Sequence, residues 1–272
     1  MPVNHDVEKI GAVCKNNIGL CSGWFSGLSH VEMVEQVAAY GFRAFENLGS
    51  GGWEDRAAVK AKCEELGVSV GAVKSSGTIP GDGPVNPAFH EQFVTEVRAA
   101  IVRAQELGTG TLLALSGAER DDLSKEQQAE NLVVAGKLVA PYLEDAGMTL
   151  VWEPLNVKVN HGGYFLVYSK DAADIVRRTG SPAVKFLFDI YHQQISEGDV
   201  IRNIQDYQAE IGHYHFGDNP GRHEPTTGEL NYKNIFKAVY ETGYRGVVAA
   251  EFGKTMETEN VLRIFAECEG WE

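Results

Sequence analysis

The 272-residue chain predicts an α/β protein: one single-domain (β/α)8 TIM barrel covering residues 1–272. Three observations point there. Eight β-rich runs alternate with helix-patterned segments, each unit turning over in about 34 residues, as an eight-fold strand–helix barrel requires. No linker, low-complexity tract or shift of composition divides the chain. The rival is an open doubly wound sheet, which shares the alternation. It would normally carry a GxGxxG phosphate loop after the first strand, and here that strand runs into "CSGWFSGLSH", with two glycines at the wrong spacing.

The elements follow in order. The first run, "NIGLCSGWF", leads to the helical segment "SHVEMVEQVAAYG", and the second, "FRAFENL", to "AAVKAKCEELG". The third, "VSVGAVKSS", precedes "NPAFHEQFVTEVRAAIVRAQELG", and the fourth, "TGTLLALSG", precedes "SKEQQAENLVVAGKLVAPYLEDAG". The fifth, "MTLVWEPLN", is followed by "SKDAADIVRRTG"; then come "VKFLFDIYH", "HYHFGD" with "NYKNIFKAVYETG" behind it, and "YRGVVAAEF". Each helical segment repeats apolar residues at i, i+3, i+4 and i+7, the stripe that faces a core. Ser29, Ser124 and Ser169 suit N-caps. Gly41, Gly67, Gly108, Gly147, Gly180 and Gly243 suit the left-handed position that stops a helix.

Composition narrows the class of function. Hydrophobic residues make up 43% and charged residues 23%, so a substantial core is expected. A formal net charge of −14 argues against a sequence-independent nucleic-acid binder and against an anionic membrane partner. The amino-terminal stretch "MPVNHDVEKIGAVCKNN" has no apolar core of a signal peptide, and no run approaches a membrane span. Cys14, Cys21, Cys63 and Cys268 form no CxxC pair, which fits free thiols in a cytoplasmic protein.

In a parallel barrel the chemistry gathers where the strands end. The fifth run ends with Glu153, the sixth holds Asp189, the seventh holds His213 and His215, and the eighth ends with Glu251. Period-two alternation puts Leu187 beside Asp189, and Val247 and Ala249 beside Glu251, so these acids share faces with apolar or small residues. One carboxylate at a strand end is commonly solvated or paired with a lysine. Three converging on one mouth would repel one another, and a divalent cation removes the conflict. Three carboxylates and one imidazole suit one Mg²⁺, Mn²⁺ or Co²⁺ ion with room for substrate oxygens, and the imidazole favours the last two.

The segments "WEPLN" with "GYFL" beyond it, "FDIYHQQ", "DNPGRHEPTTGELNY" and "AAEF" carry a resemblance over most of the chain. The chain resembles the hydroxypyruvate isomerase group of the xylose isomerase-like TIM barrels (sugar phosphate isomerases and epimerases). That resemblance implies a metal held by Glu153, Asp189, His215 and Glu251. Ketose 3-epimerases share the metal set and resemble the chain more weakly. The hydroxypyruvate isomerase pattern often has glutamine where His215 stands, whereas the epimerases have histidine. Epimerases carry a substrate-contacting glutamate soon after the fifth strand, where this chain reads "NVKVN".

The reaction so implied is proton transfer beside a carbonyl of a small hydroxy-carbonyl substrate, hydroxypyruvate to tartronate semialdehyde being the leading case. Glu153 and Glu251 are the expected acid–base pair. His192, three residues beyond Asp189, is placed to bond a substrate oxygen. Arg222 lies in "GDNPGRHEP", a loop stiffened by Pro220 and Pro225, and offers a planar fork to a substrate carboxylate. Asp218 is expected either to pair with Arg222 or to hold His192 or a ligand. Glu46 could face the mouth or stand exposed, Lys74 could approach it, and Trp24, Phe25 and Trp53 could wall it. His161 receives no role. The alternatives are a ketose 3-epimerase, a DNA-repair endonuclease of the endonuclease IV type and a non-catalytic sugar- or metal-binding barrel. An endonuclease of that type would need more histidine ligands and a cationic face. Barrels of this type often pair, so a homo-oligomer is possible.

Overall fold

The computed structural model describes residues 9–77 and 81–271. Residues 1–8, part of the stretch read above as lacking a leader, lie outside the described residues. The elements run β1 (Asn17–Cys21), α1 (His30–Ala39), β2 (Ala44–Glu46), α2 (Arg56–Leu66), β3 (Ser69–Val70), β4 (Val73–Ser76), α3 (His90–Leu107), β5 (Thr111–Ala114) and α4 (Lys125–Ala146). They continue with β6 (Thr149–Trp152), α5 (Ser169–Thr179), β7 (Val184–Asp189), α6 (Ile190–Ser196), α7 (Val200–Asp206), β8 (Ile211–Phe216), α8 (Tyr232–Glu241), β9 (Val247–Ala250) and α9 (Thr258–Glu269).

Among the described residues the named strands all pair in parallel, in the order β3-β2-β1-β9-β8-β7-β6-β5-β4. The third run of the sequence is the one that divides. Its first half, β3, pairs with β2 and its second half, β4, with β5, so this one segment joins the two ends of the sheet into a barrel. The exchange of partners happens at Gly71, whose N–H donates to the Phe45 carbonyl. A side chain there would strike Glu46: a Cβ would lie 2.2 Å from Glu46 Oε2. The glycine thus makes room for an acid that points into the barrel.

The helices bury the stripes their sequences display. In α3 the buried residues are Phe93, Val97, Ala100, Ile101, Ala104 and Leu107, one face at helical spacing. Phe93 stacks on Trp152 of β6 with ring centroids 5.4 Å apart. Fully burying a side chain as large as Phe93 contributes about 1.5–3 kcal/mol. Ser29 and Ser124 close capping boxes with Glu32 and Gln127. Ser169 does not cap. Tyr168 holds that position in α5, and Ser169 is buried in the first turn, with its N–H bonded to Glu197 and its hydroxyl to Gln193. All six stop glycines have positive φ, between 64° and 85°. After β7 the chain forms two short helices, α6 and α7, separated by Glu197, which leaves the helical region, and by Gly198 and Asp199, both left-handed (φ 67° and 47°). Among the described residues no helix is long and apolar enough to cross a membrane.

Candidate active site

Four strand ends deliver four donors. Glu153 follows β6, Asp189 ends β7, His215 lies one residue from the end of β8, and Glu251 follows β9. The register sets Asp189 beside His215 and His215 beside Ala249, so the side chains reach the same level of the mouth. One donor atom from each of the four lies within 4.8 Å of all the others. His215 Nδ1 is 2.8 Å from Glu251 Oε2 and 3.7 Å from Glu153 Oε1.

This donor set fits a divalent cation. His215 is completely buried, and neither of its ring nitrogens has a well-directed hydrogen bond, despite the short distances to carboxylates on both sides. A buried nitrogen facing two carboxylates and satisfied by none is suited to a metal bond. The charge balance points the same way. Burial, with the charges of Glu251 and Asp189 beside it, pushes the Glu153 carboxyl up to about 7. Burial opposes a charge on His215, but the Glu46 and Glu251 carboxylates outweigh it and raise the imidazole well above its usual value.

Arg222 enters the same space. Its Nη2 donates to Asp189 Oδ2 and to Glu251 Oε2, both at 2.7 Å, so a guanidinium supplies positive charge among the acids. Its Nε is buried without a partner, and its guanidinium lies over the Tyr191 ring, 5.0 Å from the centroid. Burial would raise the Asp189 carboxyl, but the His192 and Arg222 side chains beside it hold it below the usual range. Asp189 Oδ1 accepts from the N–H groups of Tyr191 and His192, capping α6.

His192 is buried in the first turn of α6, not exposed on a loop. The Asn156 N–H donates to its Nδ1 at 3.3 Å, so the proton belongs on Nε2, which stands 3.6 Å from Asp189 Oδ2. Burial lowers its pKa to about 4, leaving the ring neutral. Asp218 departs from both expectations. It is fully buried and bonds neither the Arg222 side chain nor His192; its carboxylate accepts from the N–H groups of Asn219, Gly228 and Leu230. It holds together the loop that carries Arg222, which is an anchoring task.

The mouth encloses a cavity of about 200 Å³. Leu48, Leu113, Leu115 and Leu155 form its apolar wall, and Glu153, Glu251, His192, His161, Lys74 and Arg222 its polar one. A second hollow of about 270 Å³, lined by Glu46 and Asn47 among others, shares Leu48 and Glu251 with it. A larger groove of about 910 Å³ shares Leu48 and Lys74 with the first cavity but contains none of the four donors. The aromatic residues do not wall the mouth. Phe25 is buried in the core, Trp24 packs on Phe252 and Phe265, and Trp53 stacks on His30 and Phe45. Glu46 is buried beneath the mouth, between His213 and His215. The sequence left His161 without a role and did not single out the leucines. Leu113 and Leu115 alternate along the fourth run, a period-two signal that marked one face without saying which way it pointed.

Residues 34–267 match the family model described as "Xylose isomerase-like TIM barrel". Hydroxypyruvate isomerase of Escherichia coli is 33% identical over 65% of this chain and 68% of its own length. The 2-oxo-tetronate isomerase of Cupriavidus necator is 31% identical over 79% of this chain and 84% of its own. Among solved structures, "AP endonuclease, family 2" from Brucella melitensis superposes with a TM-score of 0.82 at 28% identity, covering 93% of this chain and 98% of the other. D-psicose 3-epimerase of Clostridium cellulolyticum gives 0.73 at 20% identity over 93% and 96%, a likeness of fold alone. With the mouth built as it is, this chain belongs to the xylose isomerase-like TIM barrel family, as a hydroxypyruvate isomerase-like isomerase.

Proposed function

We propose that the chain interconverts hydroxypyruvate and tartronate semialdehyde, with one divalent metal ion, by proton transfer through an enediolate. The convergence of Glu153, Asp189, His215 and Glu251 at one barrel mouth carries this reading. A divalent cation held by these four would act as a Lewis acid, drawing electron density from the substrate carbonyl and favouring negative charge on its oxygens. One glutamate removes a proton from the hydroxymethyl carbon, and the electron pair left behind becomes the C=C bond of the enediolate. A proton returned to the former carbonyl carbon, with transfer of the terminal hydroxyl proton to the former carbonyl oxygen, completes the aldehyde. Glu153 suits this exchange, because it follows β6 and its carboxylate reaches into the mouth, 3.7 Å from His215 Nδ1. His192 keeps its Nε2–H available to a substrate oxygen.

Arg222 takes the substrate carboxylate. One of its nitrogens bridges Asp189 and Glu251, and Nε is a buried donor that an incoming carboxylate would satisfy. A charged hydrogen bond of this kind contributes about 1.5–3 kcal/mol, or roughly ten- to a hundredfold. Arg222→Ala is therefore expected to lower kcat/KM for hydroxypyruvate by that factor and to change a neutral ketose little. Metal affinity should hold or rise, because Nη2 competes for two donor oxygens. Equal losses on both substrate classes would mean that Arg222 does not read a carboxylate.

The reading itself is tested by incubating the protein with Mg²⁺, Mn²⁺ or Co²⁺ and ¹³C-labelled hydroxypyruvate, and following the carbonyl carbon by NMR. The carbonyl should move to the terminal carbon. A ketose 3-epimerase leaves the carbonyl where it was. Epimerisation of a ketohexose, with hydroxypyruvate untouched under all three metals, would replace this reading with that one.

A further inference from the structure

We propose that Glu46 is the positioning residue of the metal site: it fixes the His215 ring with its proton on Nε2, so that Nδ1 is the nitrogen presented to the cation. The proposal rests on the metal-site reading above and extends it to a residue outside the four donors.

Glu46 ends β2, on the other side of β1 and β9 from β8, yet its carboxylate lies under His215. Glu46 Oε1 is 2.5 Å from His215 Nε2. That contact is not in line with the ring N–H, but two unprotonated acceptors would repel at such a distance, so Nε2 keeps its proton when Nδ1, on the side of Glu153 and Glu251, gives its own up to a cation. The other oxygen is fixed independently. Oε2 accepts from the Ala72 N–H at 2.5 Å and lies 2.7 Å from His213 Nε2 in good hydrogen-bond geometry. Glu46 is therefore held by the backbone after β3 and by His213, and it cannot swing away from His215. The absent side chain of Gly71 leaves the space it occupies. On the opposite edge of the same ring, Nδ1 faces Glu153 and Glu251. Metal-bound histidines generally donate their second ring N–H to such a carboxylate, which orients the ring and makes it a better donor.

Glu46, His213 and His215 could themselves be read as a second metal site. The hydrogen bonding argues otherwise: Glu46 Oε2 is already engaged by the Ala72 N–H and, in good geometry, by His213 Nε2.

The test measures Mn²⁺ binding by calorimetry and the Co²⁺ absorption spectrum of the full-length protein. Glu46→Gln should weaken Mn²⁺ binding about 10- to 100-fold and alter the Co²⁺ spectrum, and Glu46→Asp, which keeps the charge, should recover part of the loss. A purely structural role would lower the melting temperature of the metal-free protein and leave affinity and spectrum as in wild type, and that result overturns the proposal. Should Glu46→Gln not fold, ¹⁵N-histidine NMR of the Mg²⁺-loaded wild type decides. It should show a proton on His215 Nε2 and none on Nδ1; the reverse overturns the proposal. If His215→Ala loses metal binding but Glu46→Gln does not, only this proposal fails. If wild type binds no divalent metal, the metal-site reading fails and this one falls with it. Two Mn²⁺ ions per chain, one of them lost in Glu46→Gln, would overturn it in favour of a second metal site.

Discussion

Glu153→Gln and Glu251→Gln are each expected to reduce turnover of hydroxypyruvate by about 10²–10⁴-fold at saturating metal, the scale on which a positioned acid or base contributes. Glutamine keeps the length and shape of the side chain but cannot take a proton at neutral pH. The two variants should differ in a second respect. Glu153 is buried, and burial with the charges of Glu251 and Asp189 beside it raises its carboxyl, so Glu153→Gln removes a charge that the site holds at a cost. Glu251 is about one-third exposed and shares its Oε2 with Arg222 and His215, so Glu251→Gln also strips a counter-charge from both. Glu251→Gln should therefore disturb metal binding more than Glu153→Gln does. Wild-type reaction in D₂O should place deuterium on the substrate carbon, and loss of that exchange in each variant would tie the fall in rate to proton transfer. Either variant turning over within tenfold of wild type would remove that residue from the acid–base pair. Turnover without any solvent deuterium would indicate a hydride shift.

The periodic parts of this structure were legible in the sequence. Amphipathic stripes and the glycines that end them depend on neighbours along the chain, and all six stop glycines are left-handed where the sequence placed them. The strand ends carrying Glu153, Asp189, His215 and Glu251 stood out because four successive strands ended in polar groups that a packed core would reject. Features that depend on contacts across the barrel were less visible. Glu46 had equal claims to an exposed and an inward position, and only the space above Gly71 and the reach to His213 decide between them. Asp218 looked like a partner for a side chain, whereas three backbone amides from its own loop claim it. Ser169 had the composition of a cap, but a tertiary contact with Gln193 draws its hydroxyl away. The divided third strand was hidden for the same reason. Nothing within "VSVGAVKSS" says that its halves pair on opposite sides.

Asp189→Asn and Asp189→Ala should both weaken Mn²⁺ binding by more than about 100-fold, above the range seen when only a ligand's supporting partner is lost. Their effects on stability should differ, because the two oxygens of Asp189 have separate tasks. Oδ1 caps α6 through Tyr191 and His192, and Oδ2 faces Arg222 Nη2 at 2.7 Å. Asparagine can keep the cap by pointing its oxygen at the helix. Its amide NH₂ then faces the guanidinium, donor against donor, and can neither accept from Arg222 nor bind a cation. Loss of that charged hydrogen bond costs about 1.5–3 kcal/mol, with Arg222 still held by Glu251. Alanine loses the same bond without the clash of donors, but it forfeits the cap as well, typically a further ~1 kcal/mol. Thermal unfolding of the metal-free proteins measures both losses, and calorimetric titration with Mn²⁺ measures the other effect. Metal affinity in Asp189→Asn within tenfold of wild type would show that Asp189 serves Arg222 and α6 alone. The cation, if bound at all, would then rest on Glu153, His215 and Glu251.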